Sequence, residues 1–227
     1  MRAGQEAQCL VIAKAPVAGL TKTRLGAEIG MAAAADLAAA ALLDTLDACR
    51  DAFAPDSCHL ALTGDLESAA RADEIADALS GWSVFGQVGE SFGGRLAAAH
   101  AEVGRRTSAP TVQIGMDTPQ VTGSALREVA AGLDDHDAVL GPAEDGGWWV
   151  LAVRDAGAAA VLAAVPTSTA DTGARTRAAL RDRGLTVGTP PALRDVDTVA
   201  DARAVAYDAP NGRFAAAWSR WEAGDER

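Results

Sequence analysis

The sequence predicts an α/β fold of three layers, in which helices cover both faces of a mostly parallel, mixed β-sheet. Short apolar runs rich in β-branched residues, of the kind buried in parallel sheets, alternate along the chain with helical stretches of roughly 10–15 residues. That alternation is typical of βαβ units with right-handed crossovers. No break in composition marks a linker, so we expect residues 1–227 to form one domain.

Four strand–helix pairs are expected in the first part of the chain. Each begins with an apolar run: QCLVIAK, HLALT, WSVFGQ and PTVQIGM. Each run is followed by a stretch with helical spacing, which is alanine- and leucine-rich in the first pair and has its acidic residues on one side in the second. The expected strands are 8–14, 59–63, 82–87 and 110–116, and the expected helices are 26–53, 66–79, 95–106 and 123–133.

The remainder of the chain supplies further strands and helices of the same types. DAVLGP (137–142) and WWVLAV (148–153) are apolar enough to be buried strands. A helix is expected over 171–184, a short strand over 185–188, and a last helix after Asp197. In an open α/β sheet, ligands bind beyond the carboxyl ends of the strands, so we expect the loops there to form the functional site.

Composition excludes several classes of function. A net charge of −11 excludes a broad basic surface for a nucleic-acid polymer, although a local cationic pocket for a small anion remains compatible with it. No apolar run is long enough to span a membrane, and MRAGQEAQ has no apolar signal region, so a cytoplasmic protein is expected. Three unevenly spaced cysteines argue against disulfides and structural zinc. The oligomeric state stays open.

The loop after the first strand has an unusual charge pattern. The chain contains 18 arginines but two lysines, and both lysines, Lys14 and Lys22, lie on this loop with Thr23 and Arg24. The residue before Lys22 is threonine, so GLTKTR is not a P-loop, and no dinucleotide-binding glycine pattern follows the strand. A cationic loop that ends at a helix start can surround a polyphosphate. The alternative is that these are solvated loop lysines.

Acidic residues follow two other strands. Asp117, in GMDTP, directly follows the fourth strand and is suited to hold Mg²⁺, although it could instead cap the next turn. Asp145 precedes Gly146 and Gly147, which allow a ligand close to the backbone, although Asp-Gly is also a common turn signal.

These segments together resemble a bacterial family of uncharacterised, glycosyltransferase-like proteins with the nucleotide-diphospho-sugar transferase (GT-A) fold. The resemblance rests on KAPVAGLTKTRLG, QVGESFGGRL, IGMDTPQ, GPAEDGGWWVLAV and LRDVDTVAD, which cover residues 14–201 in the expected order. More distantly, the chain is similar to 2-phospho-lactate and molybdenum-cofactor guanylyltransferases. It departs from the family pattern at Trp148 and Trp149, where tyrosines are more usual, and in a shortened glycine-rich signature.

The resemblance implies a role for each of these loops. Lys14, Lys22 and Arg24 would face nucleotide phosphates, with Thr23 beside them. Asp117 would bind the metal, Mg²⁺ or Mn²⁺, next to Thr118. Asp195 and Asp197 match a C-terminal acidic motif of the family, which would contribute a second metal contact through Asp197 or only fix the start of the following helix. The resemblance also places Gly93, Gly94 and Arg95 near the nucleotide or acceptor, and Asp145, with Gly146 and Gly147, at the reaction centre.

The leading hypothesis is therefore a Mg²⁺-dependent nucleotidyltransferase. It would transfer a nucleoside monophosphate from a nucleoside triphosphate to a small phosphorylated acceptor and release pyrophosphate. Such chemistry needs positioning and charge stabilisation rather than a protein nucleophile. Two alternatives are a glycosyltransferase with a nucleotide-sugar donor and a non-catalytic nucleotide-binding partner protein.

Overall fold

The chain, described over residues 6–224 by a computed structural model, contains the expected sheet. Its strands are β1 (Gln8–Lys14), β2 (Cys58–Thr63), β3 (Ser83–Gly86), β4 (Thr111–Gly115), β5 (Ala138–Pro142), β6 (Trp148–Val153) and β7 (Val187–Gly188). They lie in the order β3-β2-β1-β4-β6-β5-β7, and only the pairings of β6 with β4 and β5 are antiparallel among those in the described chain. The predicted mostly parallel, mixed sheet is confirmed.

Helices cover both faces of this sheet. They are α1 (Thr23–Ile29), α2 (Met31–Ala52), α3 (Ala72–Ala78), α4 (Phe92–Arg106), α5 (Gly123–Ala131), α6 (Thr172–Asp182), α7 (Val199–Asp208) and α8 (Arg213–Ala223). One apolar core packs α2, α3 and α5 against the sheet, and a second packs α4, α6 and the 3₁₀ helix Ala156–Ala164 against the other face. A third core joins α1, α2, α7 and α8.

Two expected helices are shorter than their sequence patterns suggest. The alanine-rich stretch forms α1 and α2 rather than one helix, because Gly30 takes φ +93° and ends the first before the second begins. In the next helical stretch, residues before Arg71 form turns. Arg71 itself has φ +55° and donates two hydrogen bonds to Asp36, at 2.6 and 2.7 Å. This contact with α2 holds the start of α3.

The sequence patterns did not predict the 3₁₀ helix or α8. The start of α8 is capped from a distant element: the Asp44 carboxylate on α2 accepts hydrogen bonds from the backbone N–H groups of Arg213 and Phe214, both at 2.9 Å. Trp218 on this helix is buried and stacks near Trp221, with ring centroids 4.9 Å apart. A cap supplied by another helix leaves no local sequence signal.

The topology gathers the polar loops at one edge of the sheet. The carboxyl ends of β1, β2, β3, β4 and β5 all point to this edge, because these strands are parallel.

Cys9, Cys49 and Cys58 are buried free thiols in the core. No helix within residues 6–224 is both long and apolar enough to cross a membrane.

Candidate active site

A cleft of about 980 Å³ lies along this edge of the sheet. It extends from the end of β3, at Gln87, past the loops after β1 and β4, to the β5–β6 hairpin and the segment before α7. Its charged lining residues come from separate parts of the chain: Lys14, Lys22, Arg24, Arg95, Asp117, Glu144, Asp145, Arg194, Asp195, Asp197 and Asp201. The fold therefore brings both predicted charge types, the loop cations and the strand-end acids, into one cleft.

Lys22 is at the centre of this charge arrangement. Its Nζ lies 2.7 Å from Asp117 Oδ1 and 3.0 Å from Asp197 Oδ1, and its side chain is 10% exposed. The preceding Thr21 is buried and donates from Oγ1 to the Ala15 carbonyl oxygen at 2.8 Å, which fixes the loop. Burial acts to lower the pKa of Lys22, but attraction to Asp117 and Asp197 outweighs it and the pKa is raised. The ammonium is therefore charged at neutral pH.

The segment before α7 completes the arrangement. Asp197 Oδ2 accepts a hydrogen bond from Arg24 Nη2 at 3.0 Å, so both carboxylate oxygens have a cationic partner. Val196 N–H donates to the Asp117 carbonyl oxygen at 3.0 Å, which ties this segment to the end of β4. The following helix starts with a capping box between Thr198 and Asp201. This capping places Asp197 just outside α7, facing the loop cations.

The β5–β6 hairpin forms another wall of the cleft. Asp145 is exposed, and its Oδ1 accepts from Gly147 N–H at 2.7 Å. Glu144 forms an ion pair with Nη2 of Arg194. Nη1 of the same arginine lies 3.2 Å from Asp201 Oδ1. Burial, together with repulsion from Asp145, raises the pKa of Asp195 to about 6. Acidic groups therefore crowd this side of the cleft.

The chemistry of these donors fits a hard divalent cation. Mg²⁺ binds through one or two carboxylates and completes its coordination with water and substrate phosphate oxygens. Asp117 and Asp197 provide two carboxylates that already share a cationic partner, Lys22. Among residues 6–224, no three His, Cys, Asp or Glu side chains are grouped to hold a metal. A cation on these two carboxylates would need its remaining ligands from water or from a bound phosphate.

The opposite end of the cleft is less charged. Gln87 Nε2 donates to the backbone carbonyls of Ala13 (2.9 Å) and Ala61 (3.0 Å), so its Oε1 remains available as an acceptor. Arg95 lies over the ring of Phe92 at 5.6 Å, and its Nε is buried without a hydrogen-bond partner. This end combines an aromatic surface with a fixed acceptor and a cation.

Some of the remaining predicted site residues line the cleft, and the others lie outside its lining. Lys14, Thr23 and Thr118 line the cleft; Thr118 is 3% exposed, and its Oγ1 has no hydrogen-bond partner. Gly147 also lines it, but Gly93, Gly94 and Gly146 are outside the lining. Gly93 packs tightly on the 3₁₀ helix, since a Cβ there would lie 2.2 Å from the Leu162 carbonyl oxygen. The N–H of Gly94 donates to the helix-capping Ser91 Oγ at 3.0 Å.

Gly146 shapes the hairpin rather than the cleft surface. It has φ +89°, and a Cβ at this position would lie 1.9 Å from the Ala170 carbonyl oxygen. The loop that contains Ala170 is rich in hydroxyl groups and lines the cleft through Thr167, Ser168, Thr169 and Thr172. Neither this loop nor Gln87 was among the residues predicted from the sequence. Gln87 could have been found from its place directly after a strand that ends at the ligand-binding edge.

Comparison with known proteins identifies the family. The model of the family described as uncharacterised protein conserved in bacteria (DUF2064) matches residues 45–169, just over half of the chain. The chain therefore belongs to this family. A search of curated proteins finds no match.

Solved structures share the fold over nearly the whole chain. A protein from Desulfovibrio desulfuricans G20, provisionally named a nucleotide-diphospho-sugar transferase, is 25% identical, with a TM-score of 0.81 and coverage of 96% of this chain and 95% of its own. CMP:2-keto-3-deoxy-manno-octonic acid synthetase, solved with CTP, is 12% identical, with a TM-score of 0.51 and coverage of 88% and 97%. Mycobacterium tuberculosis H37Rv Rv0371c, solved with manganese, is 22% identical, with a TM-score of 0.50 and coverage of 88% and 98%.

These similarities confirm the predicted GT-A-like fold. The Desulfovibrio desulfuricans relative, which is named a transferase, supports the predicted transferase class.

Proposed function

We propose that this chain is a divalent-metal-dependent nucleotidyltransferase that acts on a nucleoside triphosphate and a small phosphorylated acceptor. The observation that carries the proposal is the position of Lys22, between Asp117 and Asp197 in a cleft that also contains Lys14 and Arg24. Nucleotidyl transfer expels pyrophosphate, whose developing charge needs fixed cations nearby. We take the whole chain to act as one catalytic domain, since its strands from residue 8 to 188 join one sheet.

The reaction balances without a protein nucleophile. An oxygen of the acceptor phosphate attacks the α-phosphorus and forms the new P–O bond. The bond from that phosphorus to the bridging oxygen of the β-phosphate breaks, and its electron pair leaves with pyrophosphate. Positioning and electrostatic stabilisation supply most of the catalysis in phosphoryl-transfer reactions of this kind.

The loop after β1 holds the triphosphate in this proposal. Lys14, Lys22 and Arg24 bind phosphate oxygens, and the Thr23 hydroxyl is an additional donor at the start of α1. Asp117 and Asp197 hold Mg²⁺ or Mn²⁺, which neutralises phosphate charge when bound. The presence of manganese in the mycobacterial Rv0371c structure supports a divalent cation for this fold.

The acceptor lies on the hairpin side of the cleft in this proposal. Asp145 orients the acceptor there, on the turn that Gly146 and Gly147 shape, and Thr118 lines the same cleft after β4 and contacts the nucleotide or acceptor. Arg95 binds an anionic group of the nucleotide or acceptor. Gly93 and Gly94 lie in the first turn of α4 and support Arg95 indirectly.

The nucleoside extends toward β3 in this proposal. Both amide hydrogens of Gln87 are used by backbone carbonyls, so its Oε1 accepts a hydrogen bond from an N–H group of the base. Phe92 is 43% exposed beside Arg95 and offers an aromatic surface at that end.

Glycosyl transfer is the second candidate, because the Desulfovibrio desulfuricans relative carries the name of a nucleotide-diphospho-sugar transferase. It uses a nucleotide sugar and breaks the sugar–phosphate bond, with a nucleoside diphosphate as the leaving group. Three loop cations in the cleft favour the more highly charged pyrophosphate.

A ligand panel distinguishes these functions. Nucleoside triphosphates and nucleotide sugars, each with Mg²⁺, should be compared by thermal shift, because a ligand at 100 times its Kd adds roughly 2.7 kcal/mol of stability. A pyrophosphate-release assay with pooled phosphorylated metabolites should then give a signal that disappears in Asp117→Asn. Stabilisation by nucleotide sugars alone, without pyrophosphate, would replace the proposal with glycosyl transfer. Nucleotide binding without turnover of either type would support a non-catalytic partner protein.

A further inference from the structure

The Lys22 ammonium lies where the proposed function requires the metal. Its Nζ contacts Asp117 Oδ1 at 2.7 Å and Asp197 Oδ1 at 3.0 Å. The second oxygen of Asp197 is taken by Arg24 at 3.0 Å. A divalent cation on Asp197 would therefore lie next to the Lys22 ammonium or the Arg24 guanidinium, and repulsion between these like charges favours displacement of one of them.

We propose that Lys22 and the divalent cation compete for the same carboxylates, so that binding of the cation releases Lys22 toward the nucleotide phosphates. The inference rests on the metal site of the proposed function. In the free protein, Lys22 acts as an internal counterion and keeps the affinity for the cation low. Once Lys22 is displaced, a triphosphate is its new partner, so cation and nucleotide favour each other's binding.

The local structure allows this exchange with little backbone movement. The hydroxyl of Thr21 is hydrogen-bonded to the Ala15 carbonyl, and Gly26 N–H donates to the Lys22 carbonyl at 2.8 Å, so the chain is held on both sides of Lys22. Lys22 itself has φ +49°, a left-handed conformation that is uncommon for residues other than glycine. The flexible four-carbon stem of lysine can turn about this fixed point.

Electrostatics favours replacement of the singly charged ammonium by a doubly charged cation. Besides Asp117 and Asp197, the same cleft contains Asp145 and Asp195. Lys22 and Arg24 pair with Asp117 and Asp197, whereas Asp145 and Asp195 form no ion pair among the described residues, so part of this negative charge has no cation in direct contact. A divalent cation offsets more of it, but has to displace Lys22 first, and the displaced ammonium needs an anion. The triphosphate provides that anion in the same cleft.

Manganese titration without nucleotide tests the competition directly. Lys22→Met and Lys14→Met each remove one positive charge from the cleft and keep the aliphatic stem, but only Lys22 contacts the two carboxylates. Calorimetry should give a Mn²⁺ affinity on the order of tenfold or more higher for Lys22→Met than for the wild type, because a competing charge in direct contact is lost. Lys14→Met should change it by less than about threefold, because a charge out of contact is screened by solvent.

The wild-type protein provides a second measurement that does not depend on a variant. Since the chain has two lysines, protein labelled with ¹³C at lysine Cε should give one NMR signal for each. Addition of Mg²⁺ should shift the Lys22 signal and leave that of Lys14 nearly unchanged. Lys22→Met identifies the signal, or Lys14→Met does so if Lys22→Met fails to fold.

The outcomes separate this inference from the proposed function. Equal Mn²⁺ affinity in wild type and Lys22→Met, or a Lys22 signal unmoved at saturating Mg²⁺, overturns the competition. The metal site itself would stand in that case if Asp117→Asn still abolishes binding of the cation. If no cation binds to any of the proteins, with nucleotide or without it, both the competition and the metal-dependent function are wrong.

Discussion

His100 should make the stability of this protein depend on pH between about 4 and 6.5. The ring is fully buried on α4, and burial lowers its pKa from 6.5 to about 4, although the hydrogen bond to Gln113 acts in the opposite direction. Its Nε2 lies 3.0 Å from Gln113 Oε1, which indicates that Nε2 carries the hydrogen, and its Nδ1 is buried without a partner. Protonation would create a second, unsatisfied buried donor.

The sign follows from proton binding in the two states. Between pH 4 and 6.5 the unfolded chain protonates this histidine and the folded chain does not, so stability falls as pH decreases. With pKa values of 6.5 and about 4, the loss in the free energy of unfolding from pH 7.5 to pH 5.0 is about 2 kcal/mol. The contribution is fully present above pH 6.5 and is lost by pH 4.

Urea unfolding at these two pH values measures the effect. His100→Gln keeps a donor for Gln113 but cannot titrate, so its loss of stability should be smaller than that of the wild type by about 2 kcal/mol. Thr111→Val, on the strand that carries Gln113, is the control. The Thr111 hydroxyl is buried without a hydrogen-bond partner, and its removal should shift stability equally at both pH values. A difference between wild type and His100→Gln below about 0.5 kcal/mol would refute the reasoning.

Four other substitutions have defined expectations. Arg24→Ala should weaken nucleoside triphosphate binding about 10- to 150-fold by calorimetry. It should leave stability within about 0.5 kcal/mol, because the side chain is 80% exposed; an unchanged affinity would remove Arg24 from the phosphate site. Gly146→Ala should cost more than about 2 kcal/mol in urea unfolding, since its Cβ would clash with Ala170. Gly19→Ala, at φ +77° with open space, should cost only about 1 kcal/mol, and equal costs would argue against the clash. Thr198→Ala should cost about 1 kcal/mol, measured in the same way, through loss of the capping box, and an unchanged midpoint would contradict that role.

The sheet was predictable because its strands are recognisable one at a time. QCLVIAK and PTVQIGM are apolar runs in which nearly every residue is buried, so composition alone identifies them. The antiparallel placement of β6 between β4 and β5 depends on packing across the sheet, and no pattern in the segment WWVLAV predicts it. The same holds for α8, whose N-terminal cap is Asp44 from another helix.

The sequence predicted which loops form the candidate site, but not which of their side chains contact each other. Ligands bind at the carboxyl ends of parallel strands, and this rule predicted that Lys22 and Asp117 lie at one edge of the sheet. Both residues line the cleft there. It could not show that they form an ion pair, because residue 22 meets residue 117 only through the register of β1 and β4 and the left-handed turn at Lys22. For Gln87, the sequence showed only its place after a strand, because its hydrogen bonds to two backbone carbonyls depend on the fold.

The proposed competition also accounts for a lysine at position 22 in a chain that has 18 arginines and two lysines. An arginine here would present a planar fork that binds carboxylates with two parallel hydrogen bonds and is hard to displace. An ammonium is a compact charge that contacts one oxygen of Asp117 and one of Asp197, and it rotates freely about its stem. At Arg24, where the guanidinium is mostly exposed and contacts one carboxylate, the rigid fork carries no such disadvantage. The residue types on this loop therefore match a site in which one cation moves and its neighbour stays in place.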